Sequence, residues 1–128
     1  MSRVVVGIGG GIAAYKTAML VSRLVQAGHS VDTVLTSSAT QFVGAATFTA
    51  LCGRPAVTDV HDSRFPLGPH IELADGTDLL IVAPATARIL ASFAHGFADD
   101  LLATLFLACE CPVLLAPAMN AAMWGAAP

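Results

Sequence analysis

Val4-Val5-Val6-Gly7-Ile8-Gly9-Gly10-Gly11-Ile12-Ala13-Ala14-Tyr15-Lys16 is the stretch that decides the fold. A β-branched run closed by glycines reads as a strand and a tight turn. From Ile12 to Ala27 the apolar positions Ala14, Ala18, Val21 and Val25 recur at helical spacing, and Gly28 stops them. The order is strand, turn, helix. It repeats as Val31 to Leu35, a polar break Thr36-Ser37-Ser38, and a helix-like stretch through Phe42 and Phe48 to Leu51. Ala56 to Val60 reads as a third, shorter strand, and 61–69 as a loop delivering His70 to a brief helix over 70–74. Leu79-Leu80-Ile81-Val82-Ala83 is a continuous apolar run, the pattern of a parallel strand covered on both faces. A helical stretch through Leu90, Phe93 and Leu101 to Ala108 follows it, and Pro112 to Ala116 is the last strand.

Strands alternating with helices predict an α/β protein with a doubly wound parallel sheet and right-handed crossovers. Ligands of such sheets bind outside the carboxyl ends of the strands. In this chain those ends carry Gly9-Gly10-Gly11, Thr36-Ser37-Ser38, the loop before His70, Pro84-Ala85-Thr86-Ala87 and Pro117-Ala118-Met119-Asn120.

The 128 residues suit a single domain, 1–128, and 55% hydrophobic content with 12% charged residues excludes a disordered chain. The apolar runs fall short of a bilayer span, so no membrane segment is expected, and the start lacks the pattern of a secretory signal, so the default compartment is the cytoplasm. The net charge is −3 and the six Lys and Arg residues are dispersed, which argues against nucleic acid as a partner. Cys52, Cys109 and Cys111 show no C-x-x-C spacing and read as reduced core thiols, not as metal ligands. A mean hydropathy of +0.73 is more than so small a domain can bury alone, which predicts a homo-oligomer.

The glycine turn before a helix lets backbone N–H groups approach an anion, which implies a phosphate-bearing cofactor. Written G-x-G-x-x-A, from Gly9 through Gly11 to Ala14, it also matches a dinucleotide fingerprint. That pattern requires an acidic residue at the end of the second strand. Asp32 instead opens the strand and hydroxyls end it, which favours a mononucleotide.

Five segments occur in order: Gly10-Gly11-Ile12-Ala13-Ala14-Tyr15-Lys16, Pro69-His70-Ile71-Glu72-Leu73-Ala74, Ala83-Pro84-Ala85-Thr86-Ala87, Gly96-Phe97-Ala98-Asp99-Asp100-Leu101-Leu102, and Pro117-Ala118-Met119-Asn120-Ala121-Ala122-Met123-Trp124. Together they resemble the homo-oligomeric flavin-containing cysteine decarboxylases, which include phosphopantothenoylcysteine decarboxylase and the enzymes acting on C-terminal cysteines of peptide precursors. The resemblance spans nearly the whole chain. It implies a Rossmann-like or flavodoxin-like three-layer α/β/α fold and trimer-based assembly. It places FMN at Gly10, Gly11, Ile12, the hydroxyl segment around Ser37, the Thr86-Ala87-Arg88-Ile89 segment and Ala118. It puts the catalytic histidine on His70 and the substrate-binding asparagine on Asn120, with Met119 beside it. His29, His61 and His95 have no such context.

The implied reaction is oxidative decarboxylation of a terminal cysteine carboxylate. Loss of CO₂ from a saturated cysteine leaves electrons with nowhere to go, and oxidation by FMN to a thioaldehyde supplies the sink, so that an enethiol results. His70 would act as base and Asn120 would hold the carboxylate. Family members commonly carry Asn-Thr where this chain has Arg88-Ile89, and Arg88 reads either as a bidentate phosphate ligand or as a solvated helix residue. The coenzyme A type also carries a later substrate flap with a cysteine, for which this sequence has no counterpart. The glycine and Pro69–Ala74 motifs resemble the coenzyme A type, whereas the missing flap points to the peptide type. Three other readings stay open: a non-catalytic flavin-binding regulatory subunit, a nicotinamide-dependent reductase, and a flavin prenyltransferase.

Overall fold

A computed structural model describes residues 1–126; the last two residues of the expected domain, 127–128, lie outside the described residues. The elements run β1 (Arg3–Ile8), α1 (Ala14–Gln26), β2 (Ser30–Leu35), a single 3₁₀ turn (Ala39–Gln41), α2 (Ala45–Cys52), α3 (Pro69–Ala74), β3 (Leu79–Ala85), α4 (Ala87–His95), α5 (Leu101–Ala108), β4 (Val113–Pro117) and α6 (Ala121–Trp124). The four strands pair in parallel in the order β2-β1-β3-β4.

Because side chains alternate across a strand, β1 feeds two cores. Val4, Val6 and Ile8 pack with Val21 and Phe48 under α1 and α2. Val5 packs with Leu73, Leu80, Ile89 and Leu105 under α3, α4 and α5. Three layers result, with one core on each face of the sheet. Gly7 is part of that packing: a β-carbon there would lie 2.4 Å from Leu102 Cδ1, so the missing side chain lets α5 close onto β1.

The structure corrects four details of the sequence reading. The stretch from Phe42 to Leu51 is not one helix, because Thr36 binds the Ala39 N–H through both its carbonyl and its hydroxyl, and extended Gly44 separates that turn from α2. Ala56 to Val60 makes only an isolated parallel bridge, Val34 to Val57. Pro55 before it lacks a donor, and an Asp59 side-chain turn onto the His61 N–H ends it. The helix expected from Leu90 to Ala108 is two helices: Gly96 closes α4 in a left-handed conformation (φ 70°) and Asp100 caps α5. Strand β3 continues beyond Ala83 through Pro84, which follows a cis peptide bond, and the register to β4 shifts between Val82 and Ala85, where proline has no N–H to give.

Candidate functional site

The carboxyl edge of the sheet is assembled around missing side chains. The Gly9 N–H donates to the Pro84 carbonyl (3.2 Å), tying the end of β1 to the end of β3. A β-carbon on Gly10 would lie 2.0 Å from Ser38 Oγ, so the turn after β1 rests directly on the turn after β2. Gly11 is open, with only Pro84 Cγ (3.8 Å) near its missing side chain. The chain then coils into α1 through Ala14 N–H to Gly11 C=O (3.0 Å) and Lys16 N–H to Ala13 C=O (2.9 Å). Helix α1 has no side-chain cap, and among the described residues the N–H groups of Gly10, Gly11, Ile12 and Ala13 donate to no protein acceptor. These unpaired donors lie in the turn that leads into α1, and they favour an anion.

A cleft of about 540 Å³ opens beside them, lined by Gly10, Gly11, Ile12, Ala13, Thr86, Ala87, Ala118, Met119, Asn120 and Met123. Three strand ends converge on it. Thr86 caps α4 by accepting the Ile89 N–H on Oγ1 (3.3 Å), and Ala118 N–H donates to the Ala85 carbonyl (3.1 Å), docking the β4 exit onto β3. The lining is glycine, alanine, isoleucine and methionine, with Thr86 and Asn120 as its polar side chains. This suits a flat apolar ring system with an anionic tail at the glycine turn. Another cavity, of about 490 Å³, lies at the amino ends of β3 and β4; Glu72, Asp75 and Glu110 among its lining residues make it hostile to a phosphate.

The expected site residues divide into groups. Gly10, Gly11, Ile12, Thr86, Ala87, Ala118, Met119 and Asn120 meet in the cleft. Asn120 caps α6 by accepting the Met123 N–H on Oδ1 (2.9 Å), which leaves its Nδ2 as donor. Ser37 is exposed and does not line the cleft; Ser38, which the sequence reading did not single out, is the hydroxyl set against Gly10. Arg88 turns to the acidic pair after α4, with Nη2 3.0 Å from Asp100 Oδ2 and Nη1 3.9 Å from Asp99 Oδ2. The Ile89 side chain is 2% exposed and belongs to the core.

His70 stands in the first turn of α3, apart from the residues lining the cleft. Its Nδ1 is buried without a partner. Its Nε2 is neither bonded nor among the buried orphan atoms, so it is the nitrogen open to a reactant. Of the other histidines, His29 accepts the Ser2 N–H, and His61 and His95 are exposed. Asp32 is paired with Arg54 (3.2 Å) and Arg3 (3.9 Å), away from the end of β2, which removes the ribose ligand a nicotinamide site would need. The three cysteines are free, as expected, but each is half-buried and packed at the margin of the core. Among the described residues no group of three or more His, Cys, Asp or Glu side chains could hold a metal ion, and no helix is long and apolar enough to cross a membrane.

The order β2-β1-β3-β4, with the glycine turn at the β1/β3 switch point, defines a flavodoxin-like α/β protein with a mononucleotide-type cleft. Residues 1–127 match the Flavoprotein family model, and the chain belongs to that family. It is 52% identical over 122 residues to the coenzyme A biosynthesis bifunctional protein CoaBC of Mycobacterium tuberculosis, a match spanning 95% of this chain and 29% of that one. The chain thus spans under a third of the length of that relative. Among solved structures it superposes on the FMN-dependent cysteine decarboxylase SpaF with a TM-score of 0.92 at 37% identity, covering 98% of this chain and 73% of that one. A PPC decarboxylase complexed with pantothenoylaminoethenethiol gives 0.81 at 28% identity, covering 98% and 71%. These relatives do not favour the regulatory-subunit reading.

Proposed function

We propose that the chain is a single FMN-binding domain, residues 1–128, that catalyses oxidative decarboxylation of a terminal cysteine carboxylate. The observation that carries this is the cleft itself, where unpaired N–H groups at the start of α1 meet apolar walls and the Asn120 amide. Phosphopantothenoylcysteine is the favoured substrate over a C-terminal peptide cysteine, supported by the higher identity to CoaBC than to SpaF.

Gly10, Gly11 and Ile12 would hold the FMN phosphate through their N–H groups, with Ser37 and Ser38 hydroxyls beside them. The Thr86–Ile89 segment would contribute chiefly through backbone, since the Arg88 and Ile89 side chains are engaged elsewhere. Ala87 and Ala118 would bound the ring system. Bound FMN supplies the two-electron acceptor that makes CO₂ loss from a cysteine possible. His70 would take a proton from the thiol or its carbon at Nε2, and Asn120 would donate through Nδ2 to the carboxylate, with Met119 alongside; since His70 does not line the cleft of its own chain, the two would act together in the homo-oligomer proposed below.

The test is to identify the pigment released from the purified protein, then assay CO₂ release with both substrates. FMN and turnover of phosphopantothenoylcysteine are expected, and His70→Asn should abolish turnover while FMN stays bound. An FMN-loaded protein inert toward both substrates would overturn the reading.

We also propose a trimer-based homo-oligomer in the cytoplasm. Ile12, Met123 and Trp124 around the cleft are 76%, 50% and 66% exposed, and β4 is uncovered beside them. Sedimentation should show the assembly; a monomer at assay concentrations would refute it.

A further inference from the structure

We propose that Glu72 and Gly68 are positioning residues that set the His70 imidazole; this rests on the reading of His70 as the base. Three observations converge on one turn. The Glu72 carboxylate reaches back along α3 and accepts the Leu67 N–H on Oε2 (3.1 Å). The Gly68 N–H donates to Phe65 C=O (2.9 Å), and the Gly68 carbonyl accepts the Ile71 and Glu72 N–H groups (3.2 and 3.1 Å), so the turn and the helix start are one hydrogen-bonded unit. Gly68 itself adopts φ 94°, ψ 138°, a conformation closed to most side chains, and the Cε1–Nδ1 edge of the imidazole lies against it. A β-carbon there would meet His70 Cε1 at 3.0 Å and Nδ1 at 3.2 Å.

The far end of the helix is also held, since Arg3 Nη2 donates to the Glu72 carbonyl (3.2 Å) and Nη1 to the Asp75 carbonyl. With both ends fixed, the ring has one well-defined seat, Nδ1 turned inward and Nε2 outward. Glu72 never touches the reactant. It acts by fixing the Leu67–Gly68 turn on which the ring rests.

The experiment compares Glu72→Ala, Glu72→Gln and Gly68→Ala with His70→Asn in the FMN-loaded protein, following substrate-dependent bleaching of the flavin band and steady-state kcat and KM. Glu72→Ala is expected to lower kcat and the bleaching rate by about tenfold or more with KM, FMN content and the resting flavin spectrum unchanged, because a small misplacement of a catalytic group is enough for such a loss. Glu72→Gln, whose amide oxygen still accepts the Leu67 N–H, should recover most of the rate. Folded Gly68→Ala should resemble Glu72→Ala, its methyl group displacing the ring directly. Wild-type kcat in Glu72→Ala or in folded Gly68→Ala overturns the proposal, as does a Glu72→Gln variant as slow as Glu72→Ala. A fully active His70→Asn would instead overturn the base assignment, whereas an inactive His70→Asn beside a fully active Glu72→Ala overturns the positioning role alone.

Discussion

Replacing Gly9 by alanine would put a methyl carbon 2.3 Å from the Pro84 carbonyl oxygen, 2.7 Å from Ile89 Cδ1 and 3.2 Å from Thr86 Cγ2. The backbone of Gly9 does not adopt a positive φ, so the penalty is one of contact, not conformation. Ile89 can swing aside, but the Pro84 carbonyl belongs to β3 and already accepts the Gly9 N–H, so relief requires the ends of β1 and β3 to part. Overpacking of this kind costs about 1–3 kcal/mol, and the lost hydrogen bond adds about 1 kcal/mol. Gly9→Ala should therefore be destabilised by about 2–4 kcal/mol, with Tm lowered by roughly 10 °C. Gly11→Ala is the control: its methyl group meets only Pro84 Cγ at 3.8 Å and should change stability by no more than about 0.5 kcal/mol. Because Gly11 lines the cleft, the same methyl should weaken FMN binding by about tenfold, or about 1.4 kcal/mol. Denaturant unfolding of the flavin-free variants followed by circular dichroism gives the first comparison, and flavin fluorescence titration the second. Equal stability losses in the two variants would refute the contact reasoning.

Ile89→Ala should lose about 2–5 kcal/mol through the cavity it leaves, with FMN affinity little changed; a stable variant that no longer binds FMN would return Ile89 to the cofactor site. Asp100 both caps α5 through the Ala103 N–H (2.8 Å) and pairs with Arg88. Asp100→Asn keeps the cap and should lose at most about 1 kcal/mol, given partners 30% and 51% exposed, whereas Asp100→Ala should lose about 1 kcal/mol more; equal losses in thermal melts would show that the cap is idle. Burial, reinforced by the neighbouring Cys111, pushes the Cys109 thiol up to about 12. As pH climbs past the ordinary thiol value of about 8.5, the unfolded chain releases this proton and the native chain keeps it, so the stabilisation is complete below that value and is lost on the way to about 12. At pH 8, alkylation of Cys109 mapped by mass spectrometry should run at least about a hundredfold slower in the folded protein than in the unfolded one, and equal rates would contradict the assignment.

The frame was legible because its signals are local. Three short β-branched or continuous apolar runs, closed by Gly9, by the Thr36-Ser37-Ser38 break and by Pro84 and each followed by a helical period, suffice to give parallel strands and helical crossovers. The details that escaped depend on single residues whose effect is decided by neighbours far along the chain. Gly96 and Asp100 carry an ordinary stop and start signal, yet the apolar period runs through them and hides the break between α4 and α5. Ala56 to Val60 has the composition of a strand, but Pro55 and the Asp59 turn leave it a single bridge. In the site, the position of the glycines could be read because they stand between a β-branched run and a helical period. The pairing of Arg88 could not, since its partners Asp99 and Asp100 lie eleven and twelve positions later. Ser37 and Ser38 were read together as one hydroxyl segment centred on Ser37, because only packing shows which hydroxyl of the pair meets Gly10.

Asn120 gives its oxygen to the Met123 N–H, and that one bond fixes which way the amide faces. The side chain is thereby rectified: toward the cleft it can give a hydrogen bond and cannot take one. An aspartate would cap α6 at least as well and would be favoured by the helix dipole, yet it would set a second negative charge against any carboxylate entering the cleft. On the role proposed for Asn120, stability and reactivity pull toward different residues separated by a single atom, and a stability-guided redesign of the domain would choose aspartate.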